Sequence, residues 1–274
     1  MPWLDLLANL VARRLTEVFN VGAPYGPACL GGGLLFAFLF YLDRRRGKRG
    51  RASLRGFVRT MFPARIVWHR SSRLDMRMWA LNTLVLASTY GMVAVSSVIW
   101  SKQLSGLLVN AFGAHLPTAW PLWAMLALAT VLQLLAYEFG YWFAHFLFHK
   151  FPMLWEFHKV HHSAEVLTTF TEMRTHPVEI IAFMNMIGFM TGATFGGLTY
   201  VFGPGVQPFT LLNANLALML FLLTIGHLRH SHIWLPFTGL LGHVLQSPAH
   251  HQIHHSDRTE HFNKNLGFSL SVWD

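Results

Sequence analysis

Residues 145–162 read HFLFHKFPMLWEFHKVHH, and this stretch contains five histidines: His145, His149, His158, His161 and His162. On a helix, residues three or four apart share a face, so the first two and the last three predict two imidazole-bearing faces. A second stretch repeats the HxxHH spacing with His251, His254 and His255. Neutral imidazole is a common ligand of zinc, iron, copper and nickel, whereas protonated imidazoles this close would repel. The clusters therefore predict metal ligands, and their number favours two ions.

The composition around these clusters is that of a membrane protein. Of the 274 residues, 53% are hydrophobic and only 12% are charged, fewer charges than a soluble domain carries. Residues 1–20 are expected to form an interfacial amphipathic helix and residues 101–117 a short connection. The fold predicted is an all-α, multi-pass membrane helical bundle of four to five spans, taken from the apolar segments at residues 21–42, 78–100, 119–142, 180–202 and 209–226.

Basic residues predict how this bundle is oriented. Twelve of the 21 lysines and arginines lie between Arg44 and Arg77, which marks that segment as cytoplasmic. Two hairpins of spans then return the chain to the same side at His145 and at His227. All three histidine-bearing segments should therefore form a His-rich helical cap on the cytoplasmic face. The basic segment is expected to contact membrane lipids. Nucleic-acid binding is not expected, because the rest of the chain contains no recognisable soluble nucleic-acid-binding domain.

The order of these motifs resembles the fatty acid hydroxylase and sterol desaturase superfamily, the membrane histidine-box di-iron oxygenases. HxxxH is followed by WEFHKVHHS at 155–163, by a single histidine in HSHIWLP at 230–236 after a long apolar hairpin, and by SPAHHQIHHS at 247–256. The resemblance covers residues 138–274, which are predicted to form a His-box domain. Residues 1–137 are predicted to form an N-terminal membrane region that includes the basic cytoplasmic segment. Because members usually continue further, we expect a short piece beyond Asp274.

The resemblance implies two iron ions in the protein, with zinc an expected substitute in purified material. His227 precedes His230 by three residues and is either a tenth ligand or a neighbour of one; both interpretations stay open. The implied ligands, which are also the residues of the catalytic centre, are His145, His149, His158, His161, His162, His230, His251, His254 and His255.

Other polar residues are expected to support the ligands. Glu138 lies seven residues before His145, and we expect it either to orient that imidazole through its other N–H or to face water at the interface. His176 is expected to hydrogen-bond a ligand. Weaker candidates for such support are Glu172, Arg174, Glu179 and Asp257. The histidines expected to be ordinary hydrogen-bonded surface residues are His69, His115, His243 and His261. His232 and His250 are expected not to be ligands, because their spacing places them off the ligand faces.

The activity that the resemblance implies is oxidation of an unactivated C–H bond of a lipid (a sterol, a fatty acid or a related molecule) with O2. Hydroxylation and desaturation cannot be separated from the sequence, because both begin with hydrogen abstraction at the same kind of centre. The sequence contains no haem, flavin or ferredoxin motif, so reductant is expected from a separate electron-donor protein. The basic segment either docks an acidic donor or only contacts lipid headgroups.

Two other classes of function compete with an oxygenase. A membrane zinc hydrolase would need an open zinc position and a general base, and no HExxH motif is present. A non-enzymatic metal transporter or sensor would need polar residues in the middle of the spans, where this chain is largely apolar.

Overall fold

A computed structural model describes residues 8–9, 12–13, 15–46, 52–114, 116–118 and 120–274. The described residues are mostly helical, as the composition predicted, and the predicted amphipathic helix at residues 1–20 lies partly outside them. One antiparallel hairpin, β1 (Thr210–Leu211) with β2 (Ala214–Asn215), is the regular sheet in this part of the chain.

The helices are numbered in chain order, with the π-helix and the 3-10 turns left unnumbered. They are α1 (Pro27–Arg45), α2 (Leu54–Met61), α3 (Ala64–Val67), α4 (Arg70–Ala80), a π-helix (Leu81–Leu86), α5 (Ala87–Val93), α6 (Ser97–Phe112), α7 (Leu122–Lys150), α8 (Pro152–His162), a 3-10 turn (Thr169–Met173), α9 (Pro177–Phe202), α10 (Leu216–Thr224), a 3-10 turn (Gly226–Leu228), α11 (Gly239–Val244), α12 (Pro248–His254) and a 3-10 turn (Thr259–His261).

Three helical segments of the described chain are long and apolar enough to cross a membrane: Arg70–Phe112, Leu122–Lys150 and Pro177–Phe202. They contain the second and fourth predicted spans and all but the first three residues of the third. Large apolar side chains on them point away from the protein, such as Leu107 and Trp123, which are 63% and 69% exposed. These surfaces suit contact with lipid, and the number of spans stays a prediction.

Residues 209–226 do not form the single continuous span that the sequence predicted. They fold into the β1–β2 hairpin followed by the nine-residue α10, which at about 14 Å is shorter than the roughly 30 Å hydrocarbon core. The turn needs a left-handed backbone at Leu212 and Asn213 (φ 51° and 65°), which asparagine tolerates. Backbone N–H of Phe209 then donates to Thr130 Oγ1 at 2.7 Å, which fastens the hairpin part-way along α7.

The segment Arg70–Phe112 is helical further along the chain than predicted, because α6 includes residues 101–112 of the expected connection at 101–117. The helix is interrupted at residues 94–96, and there the side-chain oxygen of Asn185 accepts a hydrogen bond from the Val95 backbone N–H at 2.9 Å. The single lysine of residues 101–117, Lys102, suggested a connection, but the helix is stabilised by packing along α9.

Three glycines spaced four apart on α9 allow that packing: Gly188, Gly192 and Gly196. A methyl group on Gly192 would lie 2.4 Å from the carbonyl oxygen of Ser97, and one on Gly196 would lie 2.6 Å from that of Ser101. Small residues at this spacing let membrane helices approach closely. The two helices run parallel, since higher residue numbers on one contact higher numbers on the other.

Contacts at both ends show which helix termini lie together. The Asn82 side chain donates to the carbonyl oxygens of Met173 and Thr175, just before α9 begins. At the far end, Tyr200 Oη donates to the carbonyl oxygen of Gly113. The antiparallel α7 returns the chain to the first of these ends, so the C-terminus of α7, all of α8 and the N-terminus of α9 meet there.

We expect Gly192→Leu to destabilise the protein, because the new side chain would collide with the α6 backbone. Overpacking of this kind costs about 1–3 kcal/mol, which thermal unfolding of the detergent-solubilised protein would show as a lowered Tm. The matched control is Gly197→Leu on the same helix, where a methyl group has no neighbour within 4 Å. Equal Tm values for the two variants would contradict the close α6–α9 contact.

Candidate metal centre

The nine histidines predicted as ligands lie together at one end of the helices, in two groups. Each residue offers one nitrogen, and within each group these nitrogens lie within 4.8 Å of one another. We call them the five-histidine group (His145, His149, His158, His162 and His254) and the four-histidine group (His161, His230, His251 and His255).

Each HxxHH box is divided between the two groups, which the sequence analysis did not foresee. On α8, His158 and His162 are four apart and belong to the five-histidine group, whereas His161 belongs to the other. On α12 the assignment is reversed: His251 and the adjoining His255 belong to the four-histidine group, and His254 to the five-histidine group. The residue three along a helix is rotated away from the pair four apart, so one box reaches two centres.

The nitrogens within each group approach one another as ligands of a shared ion do. Nε2 of His158 lies 3.1 Å from Nε2 of His145 and 3.1 Å from Nε2 of His162. In the other group, Nε2 of His230 lies 3.1 Å from that of His161 and 2.7 Å from that of His251. Imidazole nitrogens bound to one metal at about 2.0–2.1 Å are separated by about 3 Å.

Buried nitrogens without partners point to the same chemistry. Nε2 of His149 and Nε2 of His254 are buried and have no hydrogen-bond partner in the described part of the chain. A buried polar atom left unpaired is costly, and a metal ion would satisfy several of these at once. The residues present therefore fit two transition-metal ions, with five and four imidazoles available.

The outward-facing ring nitrogens are held by oxygen acceptors. Nδ1 of His158 lies 2.7 Å from Oε1 of Glu179, a contact between two buried groups. Nδ1 of His145 lies 2.7 Å from the Leu266 carbonyl oxygen, and Nδ1 of His254 lies 2.9 Å from that of Lys264. Such bonds fix the tautomer that leaves Nε2 free for a metal and raise the basicity of the ligand. Glu179, a weaker candidate from the sequence, is thus the carboxylate that contacts a ligand.

Glu138 does neither of the two things expected of it. It is fully buried, and its carboxylate accepts hydrogen bonds from the backbone N–H and the hydroxyl of Ser269 and from the N–H of Leu270. Seven residues along a helix amount to about 10.5 Å, too far for a direct bond to His145. Glu138 instead anchors the C-terminal segment. The Leu266 carbonyl oxygen of this segment accepts the hydrogen bond from Nδ1 of His145.

His176 also differs from its prediction. Its Nδ1 accepts a hydrogen bond from the Val178 N–H at 3.2 Å and caps α9, and its ring packs on Phe157 with centroids 4.8 Å apart. It therefore holds the start of α9 rather than a ligand. The reason is its place immediately before Pro177, at the N-cap of the helix.

Of the weaker candidates, Arg174 supports the end of α8. Its guanidinium donates to the carbonyl oxygens of Val160 and Ser163 and pairs with the buried Asp75 at 3.1 Å. Glu172 accepts from Tyr25 Oη at 3.5 Å and lines one cavity, while Asp257 lines a second cavity.

His227 lies outside both groups. Its ring packs 5.5 Å from the Tyr25 ring, and neither of its buried nitrogens has a hydrogen-bond partner among the described residues. Helical spacing to His230 does not apply, because the 3-10 turn ends at Leu228. The histidines expected not to be ligands are also outside the groups, namely His69, His232, His243, His250 and His261, while His115 lies outside the described residues.

Burial sets the protonation of the imidazoles on the cap. It lowers the pKa of His161 to about 3 and moves the pKa of His158, His251 and His254 well below the usual range, with neighbouring imidazoles adding to the effect in the last three. Charged imidazoles would be desolvated here and would repel one another. The ligand candidates are therefore neutral at physiological pH, the form that binds metals.

Two cavities reach the histidines. The helix cavity, of about 680 Å³, extends from His158, His161 and His230 to the interruption at residues 94–96. Its wall is mainly apolar, with Phe183 and Met184 among its residues. The surface cavity, of about 540 Å³, is lined by His149, His162, His254 and His255 together with Trp155, Lys150 and Asp257. The sequence analysis missed the helix cavity, because it is formed where an interrupted helix meets α7 and α9.

Residues 130–274, slightly more than half of the chain, match the fatty acid hydroxylase family. The chain belongs to that family. The match begins eight residues before the predicted boundary at 138, inside the continuous α7, and the division into 1–137 and 138–274 stays a prediction.

Two of the similar proteins are named as a hydroxylase and a monooxygenase. The chain is 31% identical over 158 residues to ornithine lipid hydroxylase OlsE of Rhizobium tropici. This alignment covers 58% of this chain and 42% of that protein. It is 26% identical over 142 residues to human alkylglycerol monooxygenase, covering 51% of this chain and 28% of that protein. This fatty acid hydroxylase family member thus spans less than half the length of these relatives. No solved structure matches the chain.

Replacing His158 should remove metal from the centre, because His158 is in contact with two other imidazoles and with Glu179. We expect His158→Ala to lower the bound metal from about two ions per chain to one or none. Metal analysis of purified protein after dialysis against zinc would measure this. His69→Ala is the matched control, since His69 lies outside both groups and should leave the metal content unchanged. Full metal content in His158→Ala would contradict the assignment.

Proposed function

We propose that this protein is a membrane di-iron oxygenase that hydroxylates a lipid, using O2 and electrons from a separate donor protein. The observation that carries the proposal is the pair of buried histidine groups at the inner end of a largely apolar cavity. The names of the relatives, a lipid hydroxylase and a monooxygenase, favour hydroxylation over desaturation.

The five-histidine group would hold one iron ion and the four-histidine group the other. When bound, the iron pair would supply the activation of O2 that oxidation of an unactivated C–H bond requires. The protein's part is to keep the imidazoles neutral, oriented and buried. Soluble di-iron bundles use glutamates as ligands, whereas this all-histidine set adds no negative charge. Glu179 contributes only indirectly, through its contact with His158.

The helix cavity would bind the lipid. Ile180, Phe183, Met184 and Ile187 form its apolar wall on α9, and Phe268 closes it near the histidines. Apolar walls of this kind exclude water from the reacting position. The far end of the cavity reaches residues 94–97, about halfway along α9, so an acyl chain could enter sideways from the membrane interior.

The donor protein would approach from the other side. The surface cavity reaches four of the histidines without passing through the helix cavity, and polar groups such as Lys150 and Asn263 line it. The basic segment lies at the same end, because the Thr60 carbonyl oxygen contacts Nε2 of His232 at 2.8 Å. By the positive-inside rule this end is cytoplasmic. Either donor docking or headgroup contact explains the segment's charge.

The two other classes of function fit these residues less well. A catalytic zinc uses three protein ligands and an open position, and this centre assembles nine imidazoles. A transporter needs a polar path along the spans, whereas the helix cavity has a largely apolar wall.

The proposal is tested with iron-loaded protein in nanodiscs, a chemical reductant and a panel of lipid extracts under 18O2. We expect about two irons per chain, O2 uptake that depends on lipid, and one 18O atom in the oxidised product. His69→Ala should behave like wild type, and His254→Ala should lose uptake. A product that has lost two hydrogens relative to the substrate and contains no 18O would establish desaturation. Protein without iron, or without O2 uptake on any lipid, would refute an oxygenase.

Filling the helix cavity should impair lipid oxidation without affecting the metals. Ile187→Trp places a bulky ring in the cavity wall, so we expect turnover of long-chain lipids to fall about tenfold or more, since a misplaced substrate loses rate steeply. Metal content should stay at the wild-type value. The matched control is Val201→Trp, on the same helix and 37% exposed outside the cavity. Unchanged turnover in Ile187→Trp would show that the lipid binds elsewhere.

A further inference from the structure

The histidine end of the helix cavity contains two polar side chains whose hydrogen-bonding groups the protein leaves available. They are Tyr141 on α7 and Glu172 on the 3-10 turn before α9, and both line the cavity. Two neighbouring polar groups are engaged instead, because the Thr175 hydroxyl donates to the Glu172 carbonyl oxygen and Glu179 contacts His158. A few placed polar groups in an otherwise apolar pocket fix the orientation of its ligand.

Tyr141 is a hydrogen-bond donor without an acceptor in the described part of the chain. Nη2 of Arg229 donates to Tyr141 Oη at 3.2 Å, and because a guanidinium has no acceptor atom, the phenol is the acceptor in this bond. The phenolic O–H must therefore donate to another group. The Tyr141 ring lies 5.7 Å from the His145 ring and 5.1 Å from the Phe183 ring on the cavity wall. A ligand in the cavity is in position to accept from it.

Glu172 supplies the opposite chemistry. It is partly buried and has no lysine, arginine or histidine within ion-pair distance among the residues that the structure describes. The hydrogen bond that its side chain accepts from Tyr25 Oη is long, at 3.5 Å. A carboxylate offers about four acceptor positions. Glu172 therefore retains the capacity to accept from an N–H or O–H group of a ligand.

The positions of these two side chains give the cavity a direction. Glu172 precedes α9 at the capped end of the helices, and Tyr141 lies one helical turn before His145. The wall beyond them, from Ile180 to Ile187 along α9, is largely apolar and leads to residues 94–97. The volume of about 680 Å³ is in the range of about 300–1,000 Å³ that holds one small ligand. A lipid therefore fits with its head beside the histidines and its chain along α9.

We propose that Tyr141 and Glu172 bind the polar head of the lipid, with Tyr141 donating to a carbonyl oxygen and Glu172 accepting from an N–H or O–H group. The substrate class that this pair selects is a single-chain lipid whose head carries both groups, such as a fatty acyl amide or a monoacylglycerol. An alkane offers neither group, and a methyl ester offers only the acceptor. One consequence rests on the proposed function: the carbons next to the head are the ones presented to the metals.

The first test uses metal-free, full-length protein in nanodiscs and a monoacylglycerol that carries a photoreactive group either beside the ester or at the chain end. After irradiation, mass spectrometry should find the ester-side label on peptides containing Tyr141 or Met173. The chain-end label should be on peptides containing residues 94–97 or Ile187. Reversed labelling, or no labelling of cavity residues by either probe, would overturn the proposal. This test requires neither a variant nor turnover.

The second test measures how lipids of one chain length displace the ester-side probe. Tyr141→Phe keeps the aromatic ring and should weaken binding of the methyl ester, the amide and the monoacylglycerol by about 2–10-fold, and binding of the alkane not at all. Glu172→Leu should weaken only the amide and the monoacylglycerol, by about tenfold or more, because hydrogen bonds to charged groups are stronger. The lipid that loses more identifies an N–H or an O–H head. Each affinity is compared with that of wild type for the same lipid, which cancels partitioning into the membrane.

Matched controls separate these contacts from general damage. Tyr200→Phe removes a tyrosine hydroxyl that bonds to Gly113 outside the cavity, and Glu165→Leu removes a carboxylate that pairs with Arg70 outside it. Both should leave all four affinities unchanged, and Glu172→Gln, which keeps an acceptor oxygen, should restore part of the lost affinity.

A purely structural role of the two side chains would weaken the binding of all four lipids alike. The proposal is overturned if Tyr141→Phe and Glu172→Leu reduce the affinities for the alkane and the amide equally, or reduce neither. The expected labelling and affinities in a protein that oxidises no lipid would refute the oxygenase and leave this lipid site standing.

Discussion

Every imidazole that is buried must find partners for two ring nitrogens, and nine imidazoles are buried or nearly buried at one end of this protein. The inward nitrogens approach one another in two groups, where two metal ions would satisfy them. The outward nitrogens need acceptors, and the protein supplies a carboxylate to His158 and backbone carbonyl oxygens to His145 and His254. Much of the surrounding structure serves to bring those acceptors into place.

The C-terminal segment shows how far this requirement extends. Its carbonyl oxygens at Lys264 and Leu266 accept hydrogen bonds from Nδ1 of His254 and Nδ1 of His145. Glu138 binds the same segment at Ser269, and the Gln246 side chain donates to the Asn265 carbonyl oxygen at 2.7 Å. Glu138 is therefore linked to the metal centre through the backbone it anchors. Because buried carboxylates are costly unless paired, this network also explains why an acid lies inside a membrane helix.

The helices below the cap provide both rigidity and access. The glycine stripe of α9 holds α6 at backbone contact, while the interruption at residues 94–96 opens the same face of α9 to the helix cavity. At the cap, Arg174 and Asp75 connect α4 to the end of α8. One set of contacts thus fixes the histidines, and a second leaves the helix cavity that reaches them.

The sequence by itself determined the features that depend on local spacing. Runs of apolar residues predicted three of the helices long enough to cross a membrane, and the histidine boxes, together with the resemblance they carry, nominated all nine imidazoles that the fold brings together. Only the tertiary structure decided how the boxes divide between two groups, and that Glu179 rather than Glu138 contacts a ligand. It also decided that residues 209–226 form a short hairpin and a nine-residue helix instead of one span. The reason is physical: periodicity shows which side chains share a face, whereas the bonds from Glu138 to Ser269 and from His145 to Leu266 join residues 131 and 121 positions apart.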